Sequence, residues 1–172
     1  MAQFEPAFEK TMKHEGGYAN NPADRGGETY RGIARKIWPG WNGWPLVDAA
    51  KQKSGFPGNM AVDADLQARV AAFYRANFWP RHFSEIKDQA IAEWLFDKSV
   101  NMGIGQAVKL LQRAAGVTAD GDYGPKTTIA VNNADPAQLL EACREQARAF
   151  YRRLAERNPS QKQFLKGWLA RA

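Results

Sequence analysis

The spacing of apolar residues predicts a chain that is mostly helical. Apolar side chains recur every three or four positions in several segments, which places them on one face of an α-helix. The pattern predicts helices over about 4–15, 45–53, 63–78, 85–101, 105–115 and 136–157, and one more after Ser160. Residues 117–125 are polar and rich in turn formers, so we expect a loop there. The predicted fold class is therefore mainly α.

The segment after the first predicted helix has a different pattern. The paired glycines Gly16-Gly17 favour a helix end, and the turn signals Asn20-Asn21-Pro22 and Gly26-Gly27 follow. A short extended piece over 29–33 indicates half of a hairpin. We therefore expect a short hairpin or loop near residues 18–33.

Composition and charge exclude several classes of protein. The chain has 172 residues and a single cysteine, so it forms no internal disulfide, and its two histidines argue against a metal centre. No apolar stretch reaches membrane-spanning length, and the start lacks the apolar core of a signal peptide. We therefore expect synthesis in the cytoplasm, and we expect neither a metal nor a cofactor.

The positive charge is concentrated near the end of the chain. The formal net charge is +6, and most of the excess lies in residues 137–172. Such a basic segment favours a polyanionic partner, namely nucleic acid, anionic lipid or an anionic cell-wall polymer. A solvated helical face explains the same charges equally well.

Two carboxyl groups stand in contrasting surroundings. Glu15 continues the apolar stripe of Phe4, Phe8 and Met12, and a carboxyl facing a core favours the protonated form that a general acid needs. Asp24 lies in a glycine-rich turn, where it stays ionised. This pairing is typical of glycoside hydrolysis. A purely structural interpretation remains open, in which Glu15 caps its own glycine turn and Asp24 stabilises the next one.

Residues 14–33, HEGGYANNPADRGGETYRGI, resemble the catalytic motif of the glycoside hydrolase family 108 N-acetylmuramidases. The resemblance implies a lysozyme-like fold, with Glu15 as the catalytic acid. The spacing from Glu15 to Asp24 is also similar to that of phage-type lysozymes, which implies that Asp24 and Thr29 hold the attacking water. Two positions depart from these patterns. Thr29 lies one residue nearer Asp24 than in the phage-type proteins, and Glu28 adds a carboxylate that could perturb Glu15.

A second resemblance covers the middle of the chain. Phe96-Asp97 and the run Val100-Asn101-Met102-Gly103 look like the segment that lines the sugar cleft in the same family, and residues 107–131 resemble small peptidoglycan-binding modules. These resemblances imply a catalytic region over 1–95 and a peptidoglycan-binding-like region over 96–172, packed together as one compact unit. The predicted substrate-binding residues are Tyr18, Asn20, Tyr30, Asp97 and Asn101.

Three tryptophans, Trp38, Trp41 and Trp44, surround two glycine turns. Aromatic faces of this kind stack on sugar rings, but such residues more often pin a loop to the core, and we favour the second interpretation.

The function that these observations predict is hydrolysis of the β-1,4 bond between N-acetylmuramic acid and N-acetylglucosamine. A lytic transglycosylase using Glu15, or a non-catalytic peptidoglycan-binding or secretion-accessory protein, are the alternatives. The expected partners are peptidoglycan strands and anionic wall or membrane polymers bound by the basic helices. No specific nucleic acid is expected, since no recognised motif supports one. We expect a monomer of phage, prophage or host origin that reaches the cell wall after release from the cytoplasm.

Overall fold

The computed structural model describes residues 1–21 and 27–172. Asp24 lies outside the described residues. The chain divides into two compact units, one formed by residues 4–80 and the other by residues 1–3 and 81–172. We call them the first and the second unit. The predicted boundary at 95/96, and the packing of the two predicted regions as one body, stay predictions.

The described part of the first unit, residues 4–21 and 27–80, combines three α-helices with a small sheet. Its elements are α1 (Phe4–Met12), β1 (Tyr18–Asn20), β2 (Glu28–Tyr30), β3 (Ile33–Ala34), α2 (Trp44–Lys51), a 3₁₀ turn at Gly58–Val62 and α3 (Ala64–Phe78). The sheet is antiparallel with the order β1-β2-β3. The predicted mainly α fold with a short hairpin near residues 18–33 is confirmed.

The turn between β2 and β3 is the tightest in this sheet. It consists of Arg31 and Gly32, whose φ angles are 44° and 78°. Two successive positive φ values are typical of a type I′ turn, whose twist matches that of the strands it joins. Glycine adopts this conformation without strain, whereas the Arg31 backbone needs support from its surroundings.

The tryptophan loop packs into the first unit. Trp41 and Trp44 are buried and meet edge to face with ring centroids 5.0 Å apart. Trp38 contacts the Phe73 ring edge to face, and 38% of its surface remains exposed to solvent. The Trp44 indole donates to the Trp38 carbonyl at 2.8 Å. The prediction that these residues pin the loop to the core is confirmed for Trp41 and Trp44.

The second unit is helical throughout its described elements. They are a 3₁₀ turn at Arg81–Glu85, then α4 (Gln89–Met102), α5 (Ile104–Ala114), α6 (Pro125–Asn133), α7 (Pro136–Arg157), a 3₁₀ turn at Pro159–Phe164 and α8 (Leu165–Ala170). The predicted bounds of α7 are confirmed. Pro136 begins the helix, and the Asp135 side chain caps it by accepting from the Gln138 N–H.

Two predicted helix boundaries were wrong, and one helix was not predicted. Helix α1 ends at Met12 rather than at the glycine pair, α4 is capped by Asp88 rather than beginning near Ser84, and α6 was not predicted. In α4 the Asp88 carboxylate accepts from the Ile91 N–H at 3.0 Å, whereas Ser84 lies in the preceding 3₁₀ turn. Helix α6 is short and has little amphipathic pattern, so its contacts in the folded chain supply most of the stability of the helical state.

None of the helices in residues 1–21 and 27–172 has the length and apolar character that crossing a membrane requires. Within the same described ranges, no three His, Cys, Asp or Glu side chains form a group that could hold a metal ion. Cys143 is fully buried, and burial raises the pKa of its thiol to about 12.

Candidate active site

Glu15 lies in the bend that leads from α1 to β1, three residues beyond the end of the helix. The prediction that it sits on the helix itself was wrong. The backbone tightens before reaching it, because Lys13 and His14 donate to carbonyls three residues back, Lys10 at 3.3 Å and Thr11 at 2.9 Å. Glu15 is half-buried, so its side chain is both held by the protein and open to solvent.

The carboxyl group of Glu15 lies against the type I′ turn. A Cβ added to Gly32 would stand 2.6 Å from Glu15 Oε2 and 2.6 Å from the hydroxyl oxygen of Tyr74. Both oxygens therefore flank one position beside the Gly32 Cα. Only glycine leaves that position open, and Gly32 itself is exposed. The carboxyl thus stands where a ligand can reach it.

Two hydrogen bonds join the Arg31-Gly32 turn to other segments of the first unit. The Arg31 N–H donates to the Gly17 carbonyl at 3.0 Å, which joins the turn to the segment that follows Glu15. The Tyr74 hydroxyl donates to the Arg31 carbonyl at 2.6 Å, which joins it to α3. These bonds satisfy both backbone groups of Arg31 and hold it at its positive φ. The surroundings of Glu15 are therefore built from three separate parts of the first unit.

The two residues predicted to orient water are described unequally. Asp24 lies outside the described residues, so its predicted role rests on the sequence alone. Thr29 lies at the centre of β2, paired with Ala19 on β1 and with Ala34 on β3, and is half-buried. Its predicted role stays a prediction.

The extra carboxylate, Glu28, is neutralised by nearby cations. Glu28 Oε2 pairs with Arg35 Nε at 2.8 Å, and Oε1 pairs with Lys51 Nζ on α2. Asp48 joins the same cluster through Arg35 and Lys51. Because two cations balance two carboxylates, the cluster carries no excess negative charge toward the rest of the site. The Glu28 side chain therefore joins β2 to α2.

Tyr18 belongs to this same charged cluster. Its hydroxyl donates to Glu28 Oε1 at 2.9 Å, and its ring meets Phe56 edge to face at 4.8 Å. Burial, followed by the hydrogen bond to Glu28, raises the pKa of Tyr18. Asn20, two residues on, is exposed and lies on the same face of β1.

Tyr30 is a core residue in the described structure. Only 3% of its surface is exposed, its hydroxyl donates to the Met60 carbonyl at 3.3 Å, and Gln67 donates to the hydroxyl at 2.9 Å. These contacts join β2 to α3. Its predicted contact with substrate stays a prediction, as do those of Tyr18 and Asn20.

Asp97 and Asn101 belong to the second unit, one turn apart on α4. The Asp97 carboxylate accepts from Arg171 Nη2 at 2.8 Å and from Lys98 Nζ at 3.0 Å. Lys98 is fully buried and also donates to the Arg171 carbonyl. Exposed Asn101 accepts from the Tyr151 hydroxyl at 2.7 Å. Asp97 therefore anchors the last residues of the chain, and the predicted sugar contacts of Asp97 and Asn101 stay predictions.

Replacing Arg171 with alanine is expected to destabilise the second unit by about 2–3 kcal/mol. Breaking a buried ion pair costs about 3–5 kcal/mol, and the side chains of Arg171 and Asp97 keep 18% and 15% exposure, which moderates this cost. Urea unfolding at neutral pH measures the difference. Exposed Arg153→Ala is the control, and an equal loss for both variants would contradict the prediction.

This stabilisation should disappear in acid. Burial alone would raise the pKa of Asp97, but the hydrogen bond from Arg171 and the Lys98 charge outweigh it and lower the pKa. A carboxyl whose pKa is lower in the folded state stabilises the fold at neutral pH, and that contribution is lost as the pH falls through its folded pKa. The difference between wild type and Arg171→Ala should therefore shrink below the ordinary pKa of 3.8.

Sequence reasoning missed Tyr74 as a neighbour of Glu15. Its position four residues after buried Val70 indicates burial, and a buried tyrosine hydroxyl needs a polar partner. No pattern in the sequence names that partner, because Tyr74 lies 43 residues beyond Arg31. Lys51, one of the two cations that balance Glu28, was missed for the same reason, because it lies on α2.

A family model described as Glycosyl hydrolase 108 matches residues 8–103, and one described as Predicted Peptidoglycan domain matches residues 106–172. Similar solved structures include that of Brucella abortus SagA, with 24% sequence identity and a TM-score of 0.68. That alignment covers 98% of this chain and 88% of that one, and at this identity it shows a shared fold. No curated protein shows significant similarity to the chain.

Proposed function

Since the chain belongs to the Glycosyl hydrolase 108 family, and is therefore a glycoside hydrolase that acts on peptidoglycan, we propose that it is an N-acetylmuramidase with Glu15 as its general acid. The bond to be cleaved is the β-1,4 linkage between N-acetylmuramic acid and N-acetylglucosamine. The resemblance of residues 14–33 to this family is confirmed by the match over residues 8–103. The specific bond and the residue roles are the proposal.

The placement of the Glu15 carboxyl carries this proposal. It is half-buried beside exposed Gly32, and both Oε2 and the Tyr74 hydroxyl oxygen border the space that a Cβ on Gly32 would fill. A general acid must be held within hydrogen-bond reach of the atom that it protonates while remaining open to substrate. The clamped turn provides both conditions, because its glycine removes the side chain that would otherwise cover the carboxyl.

In the proposed reaction Glu15 gives up one proton and Asp24 receives one. Glu15 gives its proton to the glycosidic oxygen as the bond from that oxygen to C1 of the muramic acid breaks, and N-acetylglucosamine leaves with a free 4-hydroxyl. A water oriented by Asp24 and Thr29 adds its oxygen to C1 and gives its proton to Asp24. Direct attack by water inverts C1 and needs carboxyl groups about 6.5–9.5 Å apart, whereas about 5 Å would favour a covalent intermediate and retention.

Product analysis tests the proposed bond. Purified peptidoglycan is incubated with the wild-type protein, and the soluble fragments are analysed at their ends. New reducing muramic acid ends support an N-acetylmuramidase. Anhydro ends would identify a lytic transglycosylase, and reducing N-acetylglucosamine ends would identify a different glycosidase. Binding to the wall without fragments would support a non-catalytic protein.

The second unit supplies the basic surface that we propose holds the protein on anionic wall or outer-membrane polymers. Residues 137–172 carry eight Lys or Arg and three Glu. Glu141 and Glu145 pair with Arg144 and Arg148 on α7, so these acids neutralise basic residues of their own helix. Exposed arginines further along α7, among them Arg152 and Arg153, extend the basic surface. We further propose that the protein acts on the wall after release from the cytoplasm.

High salt is expected to weaken lysis of whole cell walls. Raising ionic strength from about 0.1 to 1 M shortens the screening length from about 10 to 3 Å, which weakens attraction between a basic surface and a polyanion. The measurement is the rate of wall lysis across a salt series, with and without Arg152→Glu/Arg153→Glu. Short soluble glycan strands from the wall, each of which carries few anionic groups, serve as the control substrate. An equal salt dependence for both substrates would contradict the proposed electrostatic attachment.

A further inference from the structure

Tyr74 is a fixed hydroxyl that the proposed reaction has not used. It lies on α3 with 2% of its surface exposed. Its ring contacts Phe8 and Phe78 with centroids 5.8 and 5.7 Å apart, and Phe73 edge to face at 5.4 Å. Packing on several sides leaves the ring little freedom to rotate or shift. The position of its oxygen is therefore set by the core of the first unit.

The Tyr74 hydroxyl group already uses its proton in a hydrogen bond. It donates to the Arg31 carbonyl at 2.6 Å, and a tyrosine hydroxyl has only one proton to donate. Toward any other neighbour it therefore presents an oxygen lone pair. Glu15 Oε2 borders the same space beside Gly32, since each of the two oxygens stands 2.6 Å from the position that a Cβ on Gly32 would occupy.

We propose that Tyr74 is a positioning residue for Glu15: by holding the Arg31-Gly32 turn and by bordering the space beside Gly32, it fixes where the carboxyl lies and so places its proton toward the glycosidic oxygen. The inference rests on the proposed function, because it assigns a task to a neighbour of the proposed acid. The core of the first unit holds Tyr74, Tyr74 holds the Arg31 carbonyl, and the turn presents Gly32 to the carboxyl. The catalytic group is thus positioned by α3, an element that contributes no catalytic residue of its own.

The substitution Tyr74→Phe tests whether Tyr74 positions the Glu15 carboxyl, in a protein that should still fold. The substitution keeps the packed ring and removes only the hydroxyl. We expect kcat on soluble uncross-linked glycan strands to fall by about tenfold to 10²-fold, because small misplacements of a catalytic group cost up to about 10² in rate. We expect KM to change less than twofold, since substrate binding does not involve the buried hydroxyl. Circular dichroism at the assay temperature establishes that the variant is folded.

Tyr123→Phe is the matched control. Tyr123 is also buried, and burial raises its pKa to about 12, but it lies in the second unit. Removing its hydroxyl should leave kcat unchanged. An equal loss of kcat in both variants would show a general effect of removing a buried hydroxyl and would overturn the proposal, as would full kcat in Tyr74→Phe.

A double substitution tests whether Tyr74 acts through Glu15. Residues that act as one unit give non-additive losses. We therefore expect Tyr74→Phe to cause no further loss in the Glu15→Gln background, and the same fold-loss in both backgrounds would overturn the proposal. If Glu15→Gln leaves no measurable rate, a crystal structure of Tyr74→Phe decides: the Glu15 carboxyl should be displaced or rotated, and an unchanged carboxyl overturns the proposal. Full activity of Glu15→Gln alone would instead refute the proposed function.

Discussion

Glu15→Gln is expected to slow glycan cleavage by about 10²- to 10⁴-fold, the contribution that a positioned general acid makes to a reaction. The amide has nearly the shape of the carboxyl but holds no proton that it can release to a leaving oxygen. Binding of the wall should survive, because the substitution changes only one side chain at the bend after α1. The measurement is the initial rate of reducing-end formation on purified peptidoglycan, paired with sedimentation of the protein with insoluble wall.

Glu9→Gln is the control for this prediction. Glu9 is an exposed residue of α1, and its replacement removes the same charge from the same end of the chain. Its activity should equal that of the wild type. A full rate for Glu15→Gln would remove Glu15 from the reaction, and an equal loss in the two variants would point to net charge rather than acid catalysis.

Gly32→Ala is expected to lower activity about 10²-fold while leaving the protein folded. The added Cβ would lie 2.6 Å from both Glu15 Oε2 and the Tyr74 hydroxyl oxygen, which is closer than such atoms approach each other. The Glu15 side chain is flexible and Tyr74 is packed, so the carboxyl is the group that moves. A displacement of about 1 Å at a catalytic group costs up to about 10² in rate.

The stability cost of Gly32→Ala should be modest. Alanine at a φ of 78° costs about 1–2 kcal/mol, because the left-handed region brings Cβ close to the following carbonyl. Gly55→Ala is the matched control. Gly55 has a φ of 83°, and a Cβ there would meet only Asn59 Cβ at 3.8 Å, an ordinary contact.

The two glycine variants should therefore lose similar stability and differ in activity. Thermal unfolding and reducing-end assays on the same preparations make the comparison. Equal activities would show that the space beside Gly32 does not position the carboxyl. A much larger stability loss in Gly32→Ala would show that the carboxyl cannot move aside.

Local signals explain which helices were predicted correctly. The start of α7 was predicted from a proline at the first helical position, a signal that acts within one turn. The end of α1 and the start of α4 were misplaced, because a tightened turn follows Met12 and because Asp88, rather than the nearby Ser84, caps α4. Helix α6 carries too weak a pattern to be recognised in isolation.

The sequence by itself determined the family and the proposed acid of this protein. Residues 14–33 form a contiguous motif, and a contiguous motif can be recognised without knowing how the chain folds. The same segment predicted the hairpin, since turn formers act over two to four residues. The type of each residue was therefore enough to propose Glu15.

Only the tertiary structure decided what surrounds Glu15. Lys51 on α2 pairs with Glu28, and Tyr74 reaches the turn from α3, 43 residues beyond Arg31. Such contacts depend on how α2 and α3 pack against the sheet, which is decided by the sum of many small apolar contacts rather than by any short pattern. A sequence therefore reveals which residues carry the chemistry, whereas the packed core decides where those residues are held.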